Sequence, residues 1–188
     1  MRTGKLIILS APSGAGKTTI MKHVVTTFPQ LEFSISATSR APRGTEKEGV
    51  DYYFVTGEQF VKDVEAGAFV EWEEVYAGTH YGTLRSEVER IWDKNNVIIF
   101  DIDVKGGVNL KSIFGHQALS IFIMPPSVEE LRKRLDLRGT DSPEAIEKRV
   151  AKSAEEMQYA PLFDKVVIND NLEDAITEVE SVIRNFIC

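Results

Sequence analysis

One ten-residue stretch, residues 10–19 (SAPSGAGKTT), restricts the possible folds of this chain more than any other. An apolar run, LIIL, precedes it and predicts a buried parallel strand, and apolar residues at helical spacing follow it. A strand, a glycine-bearing loop, a Lys-Thr pair and a helix form the layout of a phosphate-binding loop. The alternative is a glycine-rich turn with an incidental lysine, which the flanking strand and helix disfavour.

Each residue type in this loop suits a polyphosphate ligand. Gly14 and Gly16 let the backbone approach the phosphates and turn its N–H groups toward them. The N-terminus of the following helix adds partial positive charge. Lys17 can reach the β- and γ-phosphates, and the Thr18 hydroxyl can bind Mg²⁺. The strict motif has glycine six residues before the lysine, where this chain has Ala11, so the motif match is weaker.

Length, composition and charge exclude several classes of protein. The chain has 188 residues, 43% of them hydrophobic, which is enough for one large domain with a full core. A net charge of −7 argues against nucleic acid as a partner, so a phosphate ligand needs local cation clusters. No membrane span or signal peptide is evident, so we expect a cytoplasmic protein without membrane contact. We expect no catalytic or metal-binding role for Cys188, His23, His80 and His116.

Three further apolar runs predict a parallel sheet that helices cover on both faces. The runs are residues 97–100, 119–124 and 166–168, and amphipathic segments separate and follow them. Asp101 directly follows the first run, at the carboxyl end of a strand, where open α/β sheets bind ligands. Its position predicts a nucleotide or metal role, and the alternative is a carboxylate that caps the next turn.

Between residues 34 and 83 the pattern changes to short strands, which predicts a small β-rich lobe inserted into the α/β core. Arg40 and Arg43 flank a proline in a loop that presents two guanidinium groups. We expect Trp72 and Trp92 in the core. The predicted elements are strands at 33–39, 51–55 and 69–72, a helix at 58–65 with Phe60, Val61 and Val64 inward, and a turn at 80–83.

Two helices rich in basic residues are predicted before the last apolar run. A capping box opens the first at Ser127, and Ser142 with a following proline opens the second. With Gly139 between them, a basic helical pair in an acidic protein favours a mobile lid over phosphates. The alternative is a solvated, charged helix face. The arginines in question are Arg134, Arg138 and Arg149.

Seven separated signatures together resemble the bacterial-type guanylate kinases along nearly the whole chain. They are APSGAGKTT, TSRAPRGTEKEGVDYYFV, FVEW, HYGT, FDIDVKGG, LRKRLDLRG and VVIND. The resemblance implies a phosphate-loop kinase core and transfer of the γ-phosphoryl group of ATP to GMP, with Mg²⁺ as cofactor. The implied parts are a core at about residues 1–33, 84–124 and 161–188, a GMP-binding lobe at about 34–83 and a lid at about 125–160.

The resemblance also implies roles for individual residues. The catalytic roles fall on Lys17, Arg134, Arg138 and Arg149. The implied ATP contacts are Ala11, Pro12, Ser13, Gly14, Ala15, Gly16, Lys17, Thr18, Thr19, Arg134, Arg138 and Asn169. The implied GMP contacts are Ser36, Arg40, Arg43, Tyr52, Glu71, Tyr81, Thr83 and Asp103. Thr18 and Asp101 would hold Mg²⁺.

Two of these residues suit guanine better than adenine as the acceptor base. Guanine presents N1–H and N2–H₂ donors, which the carboxylates of Glu71 and Asp103 can accept. Adenine has an acceptor at N1 and would leave those carboxylates unsatisfied. In the alternative interpretation, Glu71 lies on the exposed face of an alternating strand, and Asp103 lies in a turn with Gly106 and Gly107.

Two other functional classes compete with a GMP kinase. Guanylate kinase-like domains also occur as inactive scaffolds that bind peptides, but those typically lose parts of the phosphate loop or the lid. A related kinase could act on another phosphorylated acceptor. The intact loop, Asp101 and the arginines favour the enzyme, with ATP and GMP as its partners. The oligomeric state is left open.

Overall fold

The computed structural model describes residues 4–138 and 142–188 of the chain. Its described residues form two compact units. The first unit comprises Gly4 and Gln30–Ile99, and the second comprises Lys5–Pro29 and Phe100–Cys188. Gly139, expected between the two basic helices, lies outside the described residues. No helix in the described part is both long enough and apolar enough to span a membrane.

Strands and helices alternate along most of the chain. The strands are β1 (Leu6–Ser10), β2 (Leu31–Phe33), β3 (Ala37–Thr38), β4 (Tyr53–Phe54), β5 (Phe69–Tyr76), β6 (Thr79–Leu84), β7 (Val97–Asp101), β8 (Ala118–Met124) and β9 (Lys165–Ile168). The helices are α1 (Lys17–Thr27), α2 (Gly57–Glu65), α3 (Arg85–Asp93), α4 (Val104–Phe114), α5 (Val128–Arg138), α6 (Pro143–Met157) and α7 (Leu172–Ile187).

A parallel sheet forms the centre of the second unit. Its strand order is β7, β1, β8, β9, and β7 enters this unit at Phe100. The β1–β8 and β8–β9 pairs are both parallel, and all five residues of β1 are buried. Continuous apolar strands of this kind require cover on both faces, which the helices supply. The predicted fold class, a parallel sheet flanked by helices, is therefore confirmed.

The helix α4 was not predicted as a separate element from the sequence, because two adjacent glycines in this segment disfavour a helix. The alternative interpretation of Asp103 placed it in a turn with Gly106 and Gly107, and this alternative is wrong, because both glycines lie inside α4. Glycine weakens a helix interior by about 1 kcal/mol relative to alanine. Here a Cβ on Gly107 would collide with the Ser10 hydroxyl and approach the ring of Phe163. Close packing of α4 on β1 therefore requires glycine at this position.

The first unit contains a four-stranded sheet in the order β4, β3, β6, β5. The β3–β4 pair is parallel, and β6 runs antiparallel to both β3 and β5. In the same unit, β2 pairs in parallel with Val97–Ile99. Ala37, Phe60 and Phe69 form the buried cluster beneath the four-stranded sheet. A β-rich arrangement in this part of the chain agrees with the predicted pattern of short strands.

Several details of this unit differ from the sequence-based expectations. The strand predicted at 33–39 is two short strands, and residues 80–83 lie within β6 rather than in a turn. The turn lies instead at Gly78, which has φ +74°. Val61 is 50% exposed and Trp72 is 44% exposed, so both predictions of inward side chains are wrong. In β5 the alternating side chains of Phe69 and Glu71 take the buried face, which turns Trp72 outward.

Candidate active site

The phosphate loop leads from the buried β1 directly into α1. Gly14 and Gly16 both have φ +93°, in the left-handed region that favours glycine. Gly16 is the N-cap of α1, and the first turn of that helix contains no acidic residue. Its N-terminal N–H groups and its partial positive charge are consequently not neutralised by a carboxylate of the same turn. This end of the helix has the properties of an anion-binding site.

Asn169, which directly follows β9, holds the loop from the side. Its buried side chain donates a 2.7 Å hydrogen bond from Nδ2 to the carbonyl oxygen of Ala15. A Cβ on Gly16 would collide with the same amide group. Glycine is therefore required at position 16 both for its φ angle and for the close approach of Asn169. The contact with adenine that the resemblance implies for Asn169 stays a prediction.

Lys17 lies at the start of α1 and reaches the carboxyl end of β7. Its ammonium group forms an ion pair with Asp101 and donates a 3.2 Å hydrogen bond to the carbonyl oxygen of Ile102. Thr18, the next residue, is exposed. The structure thus brings together Lys17 and Asp101, two residues that the sequence singled out at separate positions.

The oxygen donors near Lys17 suit Mg²⁺. The Asp101 carboxylate and the Thr18 hydroxyl are hard ligands, and protein sites for Mg²⁺ commonly supply only one or two such groups beside substrate phosphates. Within residues 4–138 and 142–188, no group of three or more His, Cys, Asp and Glu side chains could hold a metal ion. The residues present therefore fit a cation held mainly by its phosphate ligand.

The predicted lid arginines lie on the helical pair α5–α6. The guanidinium of Arg134 donates to the carbonyl oxygens of Asn169, at 2.9 Å, and Asp170, at 3.4 Å. Arg134 is thereby attached to the segment that also holds the phosphate loop. Arg149 is half-buried on α6. Arg138 is the last residue of α5, and its side chain lies outside the described part of the chain.

Asp103 is the N-cap of α4. Its Oδ1 atom accepts hydrogen bonds from the N–H groups of Lys105, at 2.9 Å, and Gly106, at 3.2 Å. A carboxylate in this position satisfies two N–H groups that the helix cannot pair internally. A structural task is therefore observed for Asp103, and its role as a reader of guanine stays a prediction.

In the first unit, Arg40 lies in a cage of aromatic and acidic groups. Its Nε donates a 2.8 Å hydrogen bond to the Tyr81 hydroxyl, and its guanidinium carbon lies 4.8 Å from the ring centre of Tyr52. Its two terminal nitrogens donate to the two carboxylate oxygens of Glu46, at 2.6 and 2.8 Å. Glu46 also accepts from the N–H of Arg43. These donors hold the pKa of Glu46 at about 2.

Glu71 and Thr83 form a buried pair across the β5–β6 ladder. Glu71 is 7% exposed, and it accepts a 2.7 Å hydrogen bond from the Thr83 hydroxyl. The alternative interpretation, an exposed strand carboxylate, is therefore wrong. Ser36 precedes β3 and is half-buried, and its carbonyl oxygen accepts from the N–H of Tyr53. The first unit thus contains every predicted GMP contact except Asp103.

Comparisons with known proteins agree with this architecture. A model of the guanylate kinase family matches residues 3–186. The chain belongs to the guanylate kinase family. It is 55% identical to a guanylate kinase of Bacteroides thetaiotaomicron, over 98% of this chain and 91% of that protein. It is 52% identical to a guanylate kinase of Porphyromonas gingivalis, over 97% of this chain and 98% of that protein.

A solved structure supports the same assignment. The guanylate kinase of Anaplasma phagocytophilum superposes with a TM-score of 0.78 at 30% sequence identity, covering 100% of this chain and 88% of that protein. The family resemblance inferred from the seven signatures is confirmed. As a member of the guanylate kinase family, the protein is a kinase.

Two carboxylates of this guanylate kinase family member were missed by sequence reasoning. One is Glu46, which lies among other acidic residues of a loop and whose partner only the fold selects. The other is Glu87, which is buried and accepts from the N–H of Ile35, the Tyr53 hydroxyl and Arg90. A signal for Glu87 exists, because it lies beside Val88 on the apolar face of a helix. Burial raises the pKa of Glu87, but the donors, led by Arg90, outweigh it and leave the pKa lowered.

Proposed function

We propose that this protein transfers the γ-phosphoryl group of ATP to the phosphate of GMP, giving ADP and GDP. A GMP phosphate oxygen forms the new bond to γ-phosphorus, and the bond between that phosphorus and the β–γ bridging oxygen breaks. Phosphoryl transfer of this kind depends on positioning and charge neutralisation rather than on a covalent enzyme intermediate. Membership of the guanylate kinase family supports the proposal.

The second unit supplies the proposed donor site. Lys17 exchanges its contact with Asp101 for the β- and γ-phosphates of ATP, and the N–H groups of the loop surround the phosphates. The arginines of α5 and α6 neutralise charge on the transferring group. The proposed ATP contacts are Ala11, Pro12, Ser13, Gly14, Ala15, Gly16, Lys17, Thr18, Thr19, Arg134, Arg138 and Asn169, and the proposed catalytic residues are Lys17, Arg134, Arg138 and Arg149.

We assign Thr18 and Asp101 as the residues that hold Mg²⁺. When bound, the cation neutralises charge on the β- and γ-phosphates. The two protein oxygens orient the phosphate chain that carries it. Release of Asp101 by Lys17 would make the carboxylate available for this task.

The first unit supplies the proposed acceptor site. The observation that carries the choice of GMP is the Glu71 carboxylate beside Thr83, because a carboxylate can accept from the N1–H and N2–H₂ groups of guanine but not from the N1 acceptor of adenine. Arg40 and Arg43 present permanent positive charge to the GMP phosphate, and a planar guanidinium matches that group. The remaining proposed GMP contacts in this unit are Ser36, Tyr52, Tyr81 and Thr83, and the family resemblance adds Asp103 as a further one.

From the family resemblance, we propose that residues 34–83 bind GMP and that residues 125–160 form a lid. The remaining segments, 1–33, 84–124 and 161–188, form the core in this scheme. ATP and GMP are the only partners the proposal requires, in the cytoplasm, with no contact to nucleic acid or membrane. An inactive scaffold would not need the Lys17–Asp101 pair, so this pair favours the enzyme.

The deciding experiment is an assay of ADP release with ATP and a panel of nucleoside monophosphates. The proposal expects activity with GMP and little with AMP, CMP or UMP. Lys17→Ala should abolish turnover while leaving the fold intact, because the side chain does not lie in the apolar core. Activity with another acceptor would assign a different substrate, and inactivity with every acceptor would identify a scaffold.

A further inference from the structure

A buried carboxylate that has no role in the proposal above lies in the first turn of α3. Glu87 is 2% exposed. Each of its two carboxylate oxygens accepts two hydrogen bonds, so four donors surround the group. Two of these donors come from Arg90, three residues later on the same helix, and the other two come from elsewhere in the first unit. A carboxylate buried without such donors would strongly destabilise the fold.

The two donors outside α3 belong to two different segments. Oε1 accepts a 3.0 Å hydrogen bond from the N–H of Ile35, in the connection between β2 and β3. Oε2 accepts a 3.1 Å hydrogen bond from the hydroxyl of Tyr53, on β4. The N–H of Tyr53 in turn donates, at 2.9 Å, to the carbonyl oxygen of Ser36. One side chain of α3 is thereby bonded both to β4 and to the connection between β2 and β3.

Each of the segments that Glu87 joins carries a proposed GMP contact. In the connection between β2 and β3, Ser36 directly follows the residue that donates to Oε1. Beside β4, Tyr52 directly precedes the tyrosine that donates to Oε2. Thr83 lies near the end of β6, and that strand continues directly into α3. The carboxylate therefore joins three parts of the chain that GMP would have to contact together.

The ion pair with Arg90 fixes the orientation of this carboxylate. Arg90 donates at 2.8 Å from Nε to one carboxylate oxygen and at 2.8 Å from a terminal nitrogen to the other, which is the two-point geometry of strong guanidinium–carboxylate pairs. Its other terminal nitrogen pairs with Glu32 on β2. The side chain of Ser34 gives the connection no similar support, since its buried hydroxyl has no partner among the described residues. A fully satisfied buried network holds its members in a single arrangement.

We propose that Glu87 is a positioning residue for the GMP site, acting through the backbone of Ile35 and the side chain of Tyr53. It holds the connection before β3 and the start of β4 in place before the nucleotide binds, so that GMP does not have to order them. Glu87 does not itself touch GMP. This inference rests on the proposed function, because it names GMP as the ligand that benefits.

Three substitutions separate positioning from general stability. Glu87→Met fills similar space and removes both acceptor oxygens, and Arg90 keeps its pair with Glu32. Tyr53→Phe removes one donor and leaves the carboxylate with its ion pair. Glu32→Met is the matched control, because the same substitution removes the other carboxylate partner of Arg90 without removing a bond to Ile35 or Tyr53.

The first measurement is hydrogen exchange at the backbone amide of Ile35 in the nucleotide-free protein. Glu87→Met should accelerate exchange there by roughly tenfold, the factor that corresponds to loss of one net hydrogen bond. Glu32→Met should keep the rate within about twofold of the wild type. This readout requires no substrate, so it tests the hydrogen bond to the connection even if the proposed reaction is wrong. An unchanged rate in Glu87→Met would overturn the inference.

The second measurement is the dissociation constant of GMP by calorimetry, beside the KM values of both substrates. Glu87→Met should bind GMP roughly 10-fold more weakly and Tyr53→Phe roughly 2- to 5-fold more weakly, with the KM for ATP within about twofold of the wild type. Glu32→Met should keep the wild-type constant for GMP even where its midpoint temperature of unfolding falls. Equal losses for GMP and ATP, or equal GMP losses in Glu87→Met and Glu32→Met, would reduce Glu87 to a general stabilising role and contradict the proposal.

Two further outcomes are decided by the same set of proteins. Should Glu87→Met fail to fold, Tyr53→Phe takes its place, and an unchanged GMP constant in that variant overturns the proposal. A wild-type protein that binds no GMP would overturn the proposed function and this inference with it. Normal GMP binding by the wild type, with the same constant in Glu87→Met and Tyr53→Phe, would overturn this inference alone.

Discussion

The side chain of Arg40 is held on three sides by neighbours from its own unit. Glu46 binds both terminal nitrogens, Tyr81 binds Nε, and Tyr52 lies against the guanidinium plane. A free arginine loses considerable conformational entropy when it orders around a ligand. Here that entropy is already lost in the folded protein. Glu46 therefore acts as a positioning residue for the cation that we expect to meet the GMP phosphate.

We predict that Glu46→Gln weakens binding of GMP although it removes a negative charge from the neighbourhood of a phosphate. Arg40 and the Arg43 N–H lose the carboxylate that orders them, so the KM for GMP should rise by roughly 2- to 10-fold with little change for ATP. Steady-state kinetics with each substrate varied in turn would measure this. Glu65→Gln, an exposed change of the same kind in the same unit, serves as the control. Tighter GMP binding in Glu46→Gln would mean that repulsion outweighs the positioning effect.

The Glu71 carboxylate leads to a prediction about base choice. Replacing it with glutamine keeps the hydrogen bond from Thr83 but removes a charged acceptor, which costs about 1.5–3 kcal/mol, or on the order of 10- to 100-fold. Glu71→Gln should lower kcat/KM for GMP by that factor and narrow the ratio of GMP to AMP activity. The KM for ATP should stay nearly constant. The guanine-reading role is wrong if both Glu71→Gln and Asp103→Asn keep the wild-type ratio.

At the scale of elements, the helical pair α5–α6 combines a buried apolar contact between the two helices with an arginine that binds a neighbouring segment. Leu131, Leu135, Ile146 and Val150 form a buried cluster that holds the two helices together. Arg134 lies on the first helix and binds the backbone carbonyls after β9. A rigid pair places a guanidinium more accurately than a loop would, because its backbone geometry is fixed by the packing.

We predict that Arg134→Ala lowers kcat far more than it weakens binding of GMP. Arginines that stabilise a transferring phosphoryl group contribute roughly 10³- to 10⁵-fold to kcat, and we expect the lower end of that range here because we propose that Arg149 has the same role. Arg132→Ala is the matched control, since Arg132 lies on the same helix and pairs with Glu147 at the surface. For each variant, kcat and the KM for GMP should be measured together with the midpoint temperature of thermal unfolding, so that an effect on catalysis is separated from an effect on stability. Loss of stability alone, with unchanged kcat, would leave Arg134 a purely structural residue.

For the whole molecule, charge networks of buried and half-buried carboxylates determine how stability responds to acid. Burial raises the pKa of Glu32, but hydrogen bonds from Lys94, Asn96 and Arg90 outweigh it and hold the pKa at about 2. Burial also raises the pKa of Asp164, but hydrogen bonds from Lys111 and Ser120 outweigh it and leave that pKa lowered. Carboxyls with lowered pKa values contribute stability above their unfolded pKa, and this contribution is lost as the pH falls toward the folded value.

We therefore predict that the free energy of unfolding falls steeply between about pH 4.5 and pH 2. Urea unfolding followed by circular dichroism across this range would measure it. Glu32→Gln should be less stable than the wild type at pH 7, and the two proteins should converge as the pH approaches 2. Glu89→Gln, an exposed change on α3, should follow the wild-type curve. Parallel curves for Glu32→Gln and the wild type would contradict the assignment of Glu32 to this network.

The sequence by itself determined the local features of the protein. The apolar runs of β1, β7, β8 and β9, the glycines and lysine of the phosphate loop, and the serine caps of α5 and α6 all appear in the structure as predicted. Each of these signals depends on neighbours within a few residues, through burial of a whole strand, backbone freedom or capping. The order of the signatures was also enough to identify the family.

Only the tertiary structure decided which distant groups meet and which face a side chain takes. Trp72 was expected inside and Glu71 had an exposed alternative, yet pairing with β6 buries Glu71 and exposes Trp72, because a strand offers two faces and its pairing selects one. The partners of Glu46 could not be predicted from the sequence for a related reason. A carboxylate in a sequence has no preferred donor until the fold brings one within hydrogen-bond distance, and the donors to Glu46 are the guanidinium of Arg40 and the N–H of Arg43.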